Sequence, residues 1–353
     1  MKTGKFNFTK SMRGKIQNIE IYSFLIFLAL LFSLGADSVY SQTPPRPPRP
    51  IVPKPHWKSG KRIENTSGIP AEKSIAVDPK VNVSLCVSEG NLKVNGWQRN
   101  EIRVFVNNGS QAGFKVQQKG IQNETPVWIM VLGFDPSKNK EIGADECLSG
   151  EEIELDVPRG AIVNVKSGES RTTIDSVRRA TIENVGGDIM LSNIEQGIRA
   201  TTYEGDVTVE KSGGAMSLTT TTGNIVVFDA SPSEIGDTFK AKTNSGAIVL
   251  QQAEYRQIEA NSNSGAIKFT GELLGGGQYN FNAFSGSINL SLTPNPSCKI
   301  IASYNFGAFN SEIPLQNVVK STPKAQNLSA QIGKGEAALS LTTYSGTIQI
   351  KKQ

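Results

Sequence analysis

The stretch Phe239–Leu290, FKAKTNSGAIVLQQAEYRQIEANSNSGAIKFTGELLGGGQYNFNAFSGSINL, decides the fold, because it repeats one pattern three times. Its units are FKAKTNSGAIVL, IEANSNSGAIKF and YNFNAFSGSINL. In each unit, apolar residues lie seven and five positions before a Gly and two and four positions after it. A spacing of two predicts short strands with one face inward, and the Gly between them predicts a corner that needs a permissive φ.

The same template recurs along the second half of the chain. Counting Ala and Tyr as apolar, 31 of the 32 template positions comply, and the exception is Ser311. Spacings between anchors are 18, 18, 23, 19, 21, 21 and finally 39 residues. A period near 20 is typical of a solenoid, whose units bury a core only by stacking. The eight anchors are Gly187, Gly205, Gly223, Gly246, Gly265, Gly286, Gly307 and Gly346.

We therefore expect an all-β protein, a parallel β-solenoid of about eight or nine coils that stack at roughly 4.8 Å in chain order. An N-terminal β region is expected to cap the first coil. A Greek-key sandwich is the alternative, since it also has short strands at regular intervals. A sandwich does not require the same four-position template eight times, so the constant register favours the solenoid.

The chain divides into four predicted segments. Residues 1–41 resemble an export signal, with a basic leader, the uncharged stretch Ile21–Ala36, and Val39 and Ser41 at signal-peptidase spacing. An uncleaved membrane anchor is the alternative. Residues 42–75 are a Pro-rich basic linker, expected to be disordered. Residues 76–160 form the predicted β cap, and 161–353 hold the repeats, with a loop insertion near 312–335.

Composition excludes several functions. The formal net charge of +5 comes from the N-terminus, because residues 63–353 hold 26 basic and 30 acidic side chains, which gives no support to nucleic-acid binding. The single His, His56, lies in the linker, which argues against Ser/His/Asp triads, Cys/His pairs and zinc sites. We expect no catalytic residue, no cofactor and no metal site.

The three cysteines suit an exported protein. A disulfide between Cys86 and Cys147 would close a loop of about 60 residues, and the chain-entropy relation predicts about 4 kcal/mol of stabilisation. Cys298 is alone in the repeats. Three unpaired or buried thiols are the alternative.

Asp188 and Asp206 each follow an anchor Gly, and Asn224 continues their series. On adjacent coils the two carboxylates would lie about 5 Å apart, a separation that suits a glycosidase pair or a calcium site. The position is also a corner, where Asp and Asn are common turn residues. The turn interpretation is favoured.

A candidate binding face lies outward on the strands before each Gly. Hydroxyl and amide side chains there could hold a sugar or a peptide edge, although any solvated solenoid face needs polar residues. Tyr203, Phe284 and Tyr344 share a nearby corner column but lie in widely separated coils, which argues against one aromatic sugar site. The column consists of Thr201, Thr219, Lys242, Asn261, Asn282, Ser303 and Thr342.

The Gly-anchored units, together with GNLKVNGWQRNEIRV and LDVPRGAIVNVKSG before them, resemble the bacterial putative-adhesin family over about residues 80–353. The resemblance implies a parallel β-helical fold, export in a bacterium and a surface or envelope role. It implies no catalytic residue.

The predicted function is that of an exported, non-enzymatic adhesin-like or envelope interaction protein that binds through the side of the solenoid. The alternatives are a polysaccharide-active β-helix enzyme, a lyase or hydrolase, and a structural envelope scaffold. Expected partners are an envelope glycan or protein and no nucleic acid, with membrane contact only through an uncleaved N-terminal segment. Expected locations are the periplasm, the cell surface or the medium.

Overall fold

The structure, a computed structural model, describes residues 71–117, 125–134, 147–321 and 326–353. These residues lie within one unit, Glu64–Gln353. The predicted export signal and most of the predicted linker lie outside the described residues. Within the described ranges no helix is long and apolar enough to cross a membrane.

The described residues form 25 strands in one sheet. The first six are β1 (Ala71–Ala76), β2 (Asn82–Trp97), β3 (Glu101–Asn107), β4 (Gln111–Val116), β5 (Trp128–Phe134) and β6 (Leu148–Pro158). The central strands are β7 (Ile162–Asp175), β8 (Arg179–Gly186), β9 (Ile189–Ser192), β10 (Ile198–Glu204), β11 (Val207–Gly213), β12 (Met216–Thr222), β13 (Ile225–Ser231), β14 (Phe239–Ser245), β15 (Ile248–Ala253), β16 (Gln257–Ser264), β17 (Ile267–Gly271), β18 (Gln278–Ser285) and β19 (Ile288–Leu292). The last six are β20 (Cys298–Tyr304), β21 (Ala308–Ser311), β22 (Gln316–Ser321), β23 (Asn327–Ile332), β24 (Ala337–Ser345) and β25 (Thr347–Lys352).

The strands form two parallel stacks that meet at the Gly corners. The stack before the corners runs β5, β2, β7, β8, β10, β12, β14, β16, β18, β24, β20. The stack after the corners runs β6, β2, β7, β9, β11, β13, β15, β17, β19, β25, β21. One strand from each stack together makes one coil. The prediction of a parallel solenoid is therefore confirmed.

The coils do not stack in chain order at the C-terminal end. The last coil of the sequence, β24–β25, lies between the β18–β19 coil and the β20–β21 coil. The segment 312–335, predicted as an inserted loop, contains β22 and β23. Strand β23 pairs antiparallel with β20, and β22 pairs antiparallel with β23. The insertion therefore continues the sheet on one side of β20. The chain then returns and places β24 on the other side, between β18 and β20.

The N-terminal boundaries also differ from the prediction. Strand β1 begins at Ala71, inside the segment 42–75 predicted as a disordered linker, and pairs antiparallel with β3. Strand β2 lies inside the predicted cap 76–160 but pairs in parallel with β7 over Asn82–Asn95. On its other side β2 pairs in parallel with β5 and β6, so the parallel stacks begin with β5 and β6. Beyond β5 and β6 the pairing becomes antiparallel: β4 pairs with β5, β3 pairs with β6, and β1 pairs with β3. They supply backbone partners that a bare end strand would lack.

The four template positions point into a continuous apolar core. Phe239, Ala241, Ile248 and Leu250 are each no more than 1% exposed, and the equivalent residues of neighbouring coils are buried in the same way. The core also holds aromatic residues: Tyr279 occupies a template position on β18, Tyr255 lies between β15 and β16, and both are fully buried. The Tyr255 hydroxyl lies 2.7 Å from the carbonyl oxygen of Gly214, which satisfies its polar group.

The anchor glycines are required by stacking as well as by φ. Five anchors have φ between 98° and 154°, which favours glycine, whereas Gly286, Gly307 and Gly346 lie outside that range. At all three of these, a Cβ would overlap the carbonyl oxygen of the anchor Gly in the adjacent coil. A side chain at the corner would therefore hold neighbouring coils apart. The five anchors with positive φ are Gly187, Gly205, Gly223, Gly246 and Gly265.

A ladder of buried polar side chains supports these corners from inside. Three positions before the Gly, Thr220, Thr243 and Ser262 are at most 3% exposed. The Thr243 hydroxyl donates to the Gly223 carbonyl oxygen at 2.9 Å. Thr220 donates in the same way to Gly205, and Ser262 to Gly246. Thr343 donates to Gly286 in the same way. Four corner carbonyls, of Gly205, Gly223, Gly246 and Gly286, thus have a partner inside the coil, in a position that the apolar template does not include.

Candidate functional site

The predicted binding face is one continuous column on the outside of the first stack. Strand register places Thr201, Thr219, Lys242, Asn261 and Asn282 opposite one another in successive coils. The column then continues through Thr342 to Ser303, because the last coil of the sequence lies before the β20 coil. Thr201, Lys242, Asn282 and Thr342 are exposed, and the other three are half-buried. The structure therefore brings all seven predicted residues together.

Charges lie mainly at one end of this column. Glu183 precedes Thr201 in register and forms an ion pair with Lys166 at 3.4 Å. In the adjoining outward column, Lys240 lies 3.9 Å from Glu259, whose carboxylate also accepts a hydrogen bond from Asn261. Beyond Lys242 the column is uncharged. Towards the C-terminal end it therefore presents only amide and hydroxyl groups.

Three exposed aromatic side chains cluster beside this uncharged end. Phe284 and Tyr344 have parallel rings with centroids 5.0 Å apart, and Phe306 makes a T-shaped contact with Tyr344 at 5.2 Å. Their exposed fractions are 55%, 43% and 74%, respectively. The expectation that Phe284 and Tyr344 lie too far apart for one site is wrong, because β24 stacks directly on β18. Tyr203, in the same corner column, lies several coils away.

The Asp188–Asp206–Asn224 series forms a chain of backbone caps. The Asp188 carboxylate accepts a hydrogen bond from the backbone N–H of Asp206 at 3.1 Å. Asp206 does the same for Asn224 at 2.7 Å, and Asn224 for Ala247 at 2.9 Å. The Arg171 guanidinium also donates a hydrogen bond from Nη2 to Oδ2 of Asp188 at 3.3 Å. Since each oxygen serves the corner of the next coil, the hydrogen bonds support the turn interpretation rather than a pair of catalytic carboxylates.

A polar groove of about 780 Å³ runs along a second corner of the coils, six residues after each anchor Gly. Asn193, Lys211 and Asp229 line it and have φ of 53°, 45° and 55°, a left-handed conformation that is uncommon for residues other than Gly. Arg159 and Glu195 add further charges. The sequence gives no sign of this charged cluster, because its members come from separate coils.

One wall of the groove comes from the longer turn after β13. The Ser233 hydroxyl donates to the backbone carbonyl oxygen of Glu195, which lies in an earlier coil. The Asp237 carboxylate accepts hydrogen bonds from the backbone N–H groups of Ser233 and Glu234, both at 2.9 Å. These contacts fix the turn along the side of the coils. The extra residues of the 23-residue repeat thus build a wall rather than a projecting loop.

Asp175 is the best-supported carboxylate next to the groove. It accepts hydrogen bonds from Ser192 at 2.6 Å, Ser176 at 2.7 Å and Asn193 at 2.7 Å. Burial opposes its ionisation, but these hydrogen bonds and the charge of Arg159 outweigh burial and hold the pKa of Asp175 below its ordinary value. Asp175 is therefore a charged acceptor and a poor proton donor.

A second supported carboxylate lies in the N-terminal region. Asp156 is 6% exposed and accepts hydrogen bonds from the Arg103 guanidinium at 2.7 Å and the Asn95 amide at 3.1 Å. The Asp156 hydrogen bond raises the pKa of Arg103. Arg103 also lies 5.6 Å from the centre of the Trp97 ring. This network links β2, β3 and β6, and the sequence patterns did not reveal it.

Cys86 and Cys147 form a disulfide in the structure, with Cα atoms 4.5 Å apart, while Cys298 is a buried free cysteine. Within the described ranges, no group of three or more His, Cys, Asp or Glu residues is placed to hold a metal ion. Every buried side-chain nitrogen and oxygen of the described residues has a hydrogen-bond partner.

Comparisons with known proteins bear on the whole β region. No curated protein matches the chain. Among solved structures, a putative cell adhesion protein from Clostridium sporogenes is 11% identical, covers 81% of this chain and 100% of its own, and has a TM-score of 0.25. A putative adhesin from Parabacteroides distasonis is 10% identical, covers 80% and 97%, respectively, and has a TM-score of 0.33.

A family model described as Toastrack DUF4097 matches residues 66–351, which is most of the chain and all of its repeats. The match supports the resemblance that the Gly-anchored units indicate. The chain belongs to the Toastrack DUF4097 family.

Proposed function

We propose that this protein is an exported, adhesin-like envelope protein that binds its partner through the side of the solenoid and does not transform it. The observation that carries the proposal is the continuous column from Thr201 to Ser303, which keeps one register across seven coils. A rigid, regular and largely uncharged surface suits recognition of an extended polymer by repeated hydrogen bonds.

Export is part of the proposal. It is supported by the signal-like segment 1–41 and by the Cys86–Cys147 disulfide, because structural disulfides persist mainly in oxidising compartments. The periplasm and the cell surface both meet that condition. Fractionation of cells with an antibody against the repeats tests this part, and recovery of the protein in the cytosol would contradict it.

The groove supports a second candidate function, a polysaccharide lyase or hydrolase. A sequence-based search for clustered carboxylates with Arg or Lys finds none, but the structure brings Arg159, Lys211, Glu195 and Asp229 together around one cavity. Against catalysis, hydrogen bonding keeps the adjacent Asp175 charged. The fold alone does not distinguish binding from cleavage.

The deciding experiment uses the purified full chain on a glycan array and in a degradation assay with the same polysaccharides. The proposal predicts retention of at least one glycan without release of reducing ends or unsaturated products. Substrate turnover that is lost in Lys211→Met or Asp229→Asn would establish the enzyme instead. Binding to no glycan and to no envelope protein would contradict the adhesin-like function.

A matched pair of variants locates the binding surface. Asn282→Arg places a large charged group in the centre of the column, and Asn289→Arg makes the same change in the same coil, on the strand after the corner. The proposal predicts lost binding in the first variant and unchanged binding in the second. Equal effects would show that the column is not the binding surface.

A further inference from the structure

The aromatic cluster formed by Phe284, Tyr344 and Phe306 is unusual for a surface of this kind. Single exposed apolar side chains are normal, whereas contiguous ones commonly mark interaction sites. Here two rings stack in parallel and a third meets them in a T-shaped contact, all three at least 43% exposed. These rings are not part of the buried core, so core packing does not explain why three of them lie together at one point.

The chain topology assembles this cluster. Phe284 lies on β18 and Tyr344 on β24, and these strands are neighbours only because the last coil of the sequence lies next to the β18–β19 coil. Phe306 follows β20, and its backbone N–H donates to the Tyr344 carbonyl oxygen at 2.9 Å. Backbone pairing thus holds all three rings in fixed positions, so a ligand would meet a preorganised surface.

The surroundings of the rings are polar and uncharged. On one side the outward column contributes the Asn282 amide and the Thr342 hydroxyl, which are paired in register. On the corner side, Ser285 and Ser345 are exposed and also paired in register. These groups supply hydrogen-bond donors and acceptors around an apolar centre, without the cations that a phosphate-bearing polymer would need.

This combination matches the chemistry of a neutral sugar. One face of a pyranose ring carries C–H bonds with partial positive charge, which are attracted to the negative face of an aromatic ring. The sugar hydroxyls around that face need both donors and acceptors, as amides and hydroxyls provide. We propose that the aromatic cluster is a subsite for a neutral pyranose unit of a glycan, with the Asn282–Thr342 column continuing along the same chain of sugars.

A second copy of this protein is a poorer fit to the cluster. Aromatic side chains can bury about 150–250 Å² each, so three rings with these exposures offer roughly 260–430 Å². A stable protein interface needs about 800 Å² from each partner. The cluster alone is therefore too small to hold a dimer together.

The inference rests on the proposed binding function and specifies its ligand class. Its test uses the full chain with laminarin, dextran and galactomannan as neutral probes, and with polygalacturonate and single-stranded DNA as charged ones, in affinity electrophoresis. We expect retardation by at least one neutral probe and a loss of affinity of about tenfold or more in Phe306→Ala, as is typical of an aromatic anchor. Phe306→Trp should retain binding.

Tyr203→Ala is the matched control, because Tyr203 is an exposed aromatic side chain, 59% accessible, in the same corner column but outside the cluster. It should leave affinity unchanged, and thermal unfolding should show that all three variants are folded. If Asn282→Arg abolishes binding while Phe306→Ala does not, the side face binds but the aromatic subsite is refuted. Retention of no neutral probe, selective binding of a charged probe, or dimerisation lost in Phe306→Ala also overturns the inference.

Discussion

Replacing Gly246 by Ala tests the structural role of the Gly corners. Gly246 has φ of +154°, and its missing Cβ faces the carbonyl oxygen of Gly223 in the adjacent coil. An added methyl group would overlap that oxygen. The chain must then either change φ at the corner or move two hydrogen-bonded coils apart.

The expected cost has two parts that can be measured separately. A left-handed backbone costs a residue with a Cβ about 1–2 kcal/mol, and forcing extra atoms into a packed site costs about 1–3 kcal/mol. Gly246→Ala should therefore lose about 2–5 kcal/mol of unfolding free energy. Gly236→Ala should show the backbone cost alone, because Gly236 has φ of +98° and nothing within 4 Å of the added Cβ. Gly286→Ala should show the overlap alone, because its φ lies outside the left-handed range.

Urea unfolding followed by circular dichroism measures all three variants. We expect Gly246→Ala to be the least stable, with a loss close to the combined loss of the two others, because it has both the backbone cost that Gly236→Ala reports and the overlap cost that Gly286→Ala reports. If Gly246→Ala is no less stable than Gly236→Ala, stacking does not require the missing Cβ and the reasoning is refuted.

Four further predictions concern individual side chains and the disulfide. Thr243→Val should cost about 1–3 kcal/mol in urea unfolding, because a corner carbonyl loses its partner; an unchanged midpoint would contradict the inner ladder. Reduction of the Cys86–Cys147 disulfide, whose cysteines are 61 residues apart, should cost about 4 kcal/mol, and an equal midpoint with and without dithiothreitol would refute this. Burial raises the pKa of Cys298 to about 11, so iodoacetamide at pH 8 should label it in urea but not in the folded protein. The pKa of Asp175 lies below its ordinary value of 3.8 despite burial, so the charged side chain stabilises the folded protein at pH 7 and this stabilisation should fade below pH 4. Asp175→Asn should therefore lower the urea midpoint more at pH 7 than at pH 3.

The inward pattern could be predicted from sequence because burial in a solenoid is periodic. Ile248 and Leu250 face inward, as do the equivalent residues of neighbouring coils, and the template describes that spacing directly. The inner hydroxyl ladder follows the same period, but Thr243 looks like a surface residue when only apolar residues are counted. Extending the template to three residues before each Gly reveals this ladder. The corner six residues after the Gly is not revealed in this way, because Asn193, Lys211 and Asp229 share a left-handed φ but no residue type.

The order of the last coils could not be predicted in this way. Apart from Ser311, both units follow the same template, so Gly307 and Gly346 carry nearly equal local signals for either position in the stack. What decides the order is that β23 pairs antiparallel with β20, a tertiary contact that the 39-residue interval permits but does not encode in any repeat. The aromatic cluster depends on that order, which is why the sequence pattern separates Phe284 from Tyr344.

The most direct test of the account is a disulfide cross-link that reports this order. Asn282 and Thr342 face each other in register, and neighbouring strands lie about 4.8 Å apart, which suits a disulfide. Ser303 lies one coil further on, at about 10 Å from Asn282, which is too far. The account predicts that Asn282→Cys with Thr342→Cys cross-links on oxidation and that Asn282→Cys with Ser303→Cys does not. A cross-link only in the second pair would show that the coils stack in chain order, and would remove the aromatic cluster.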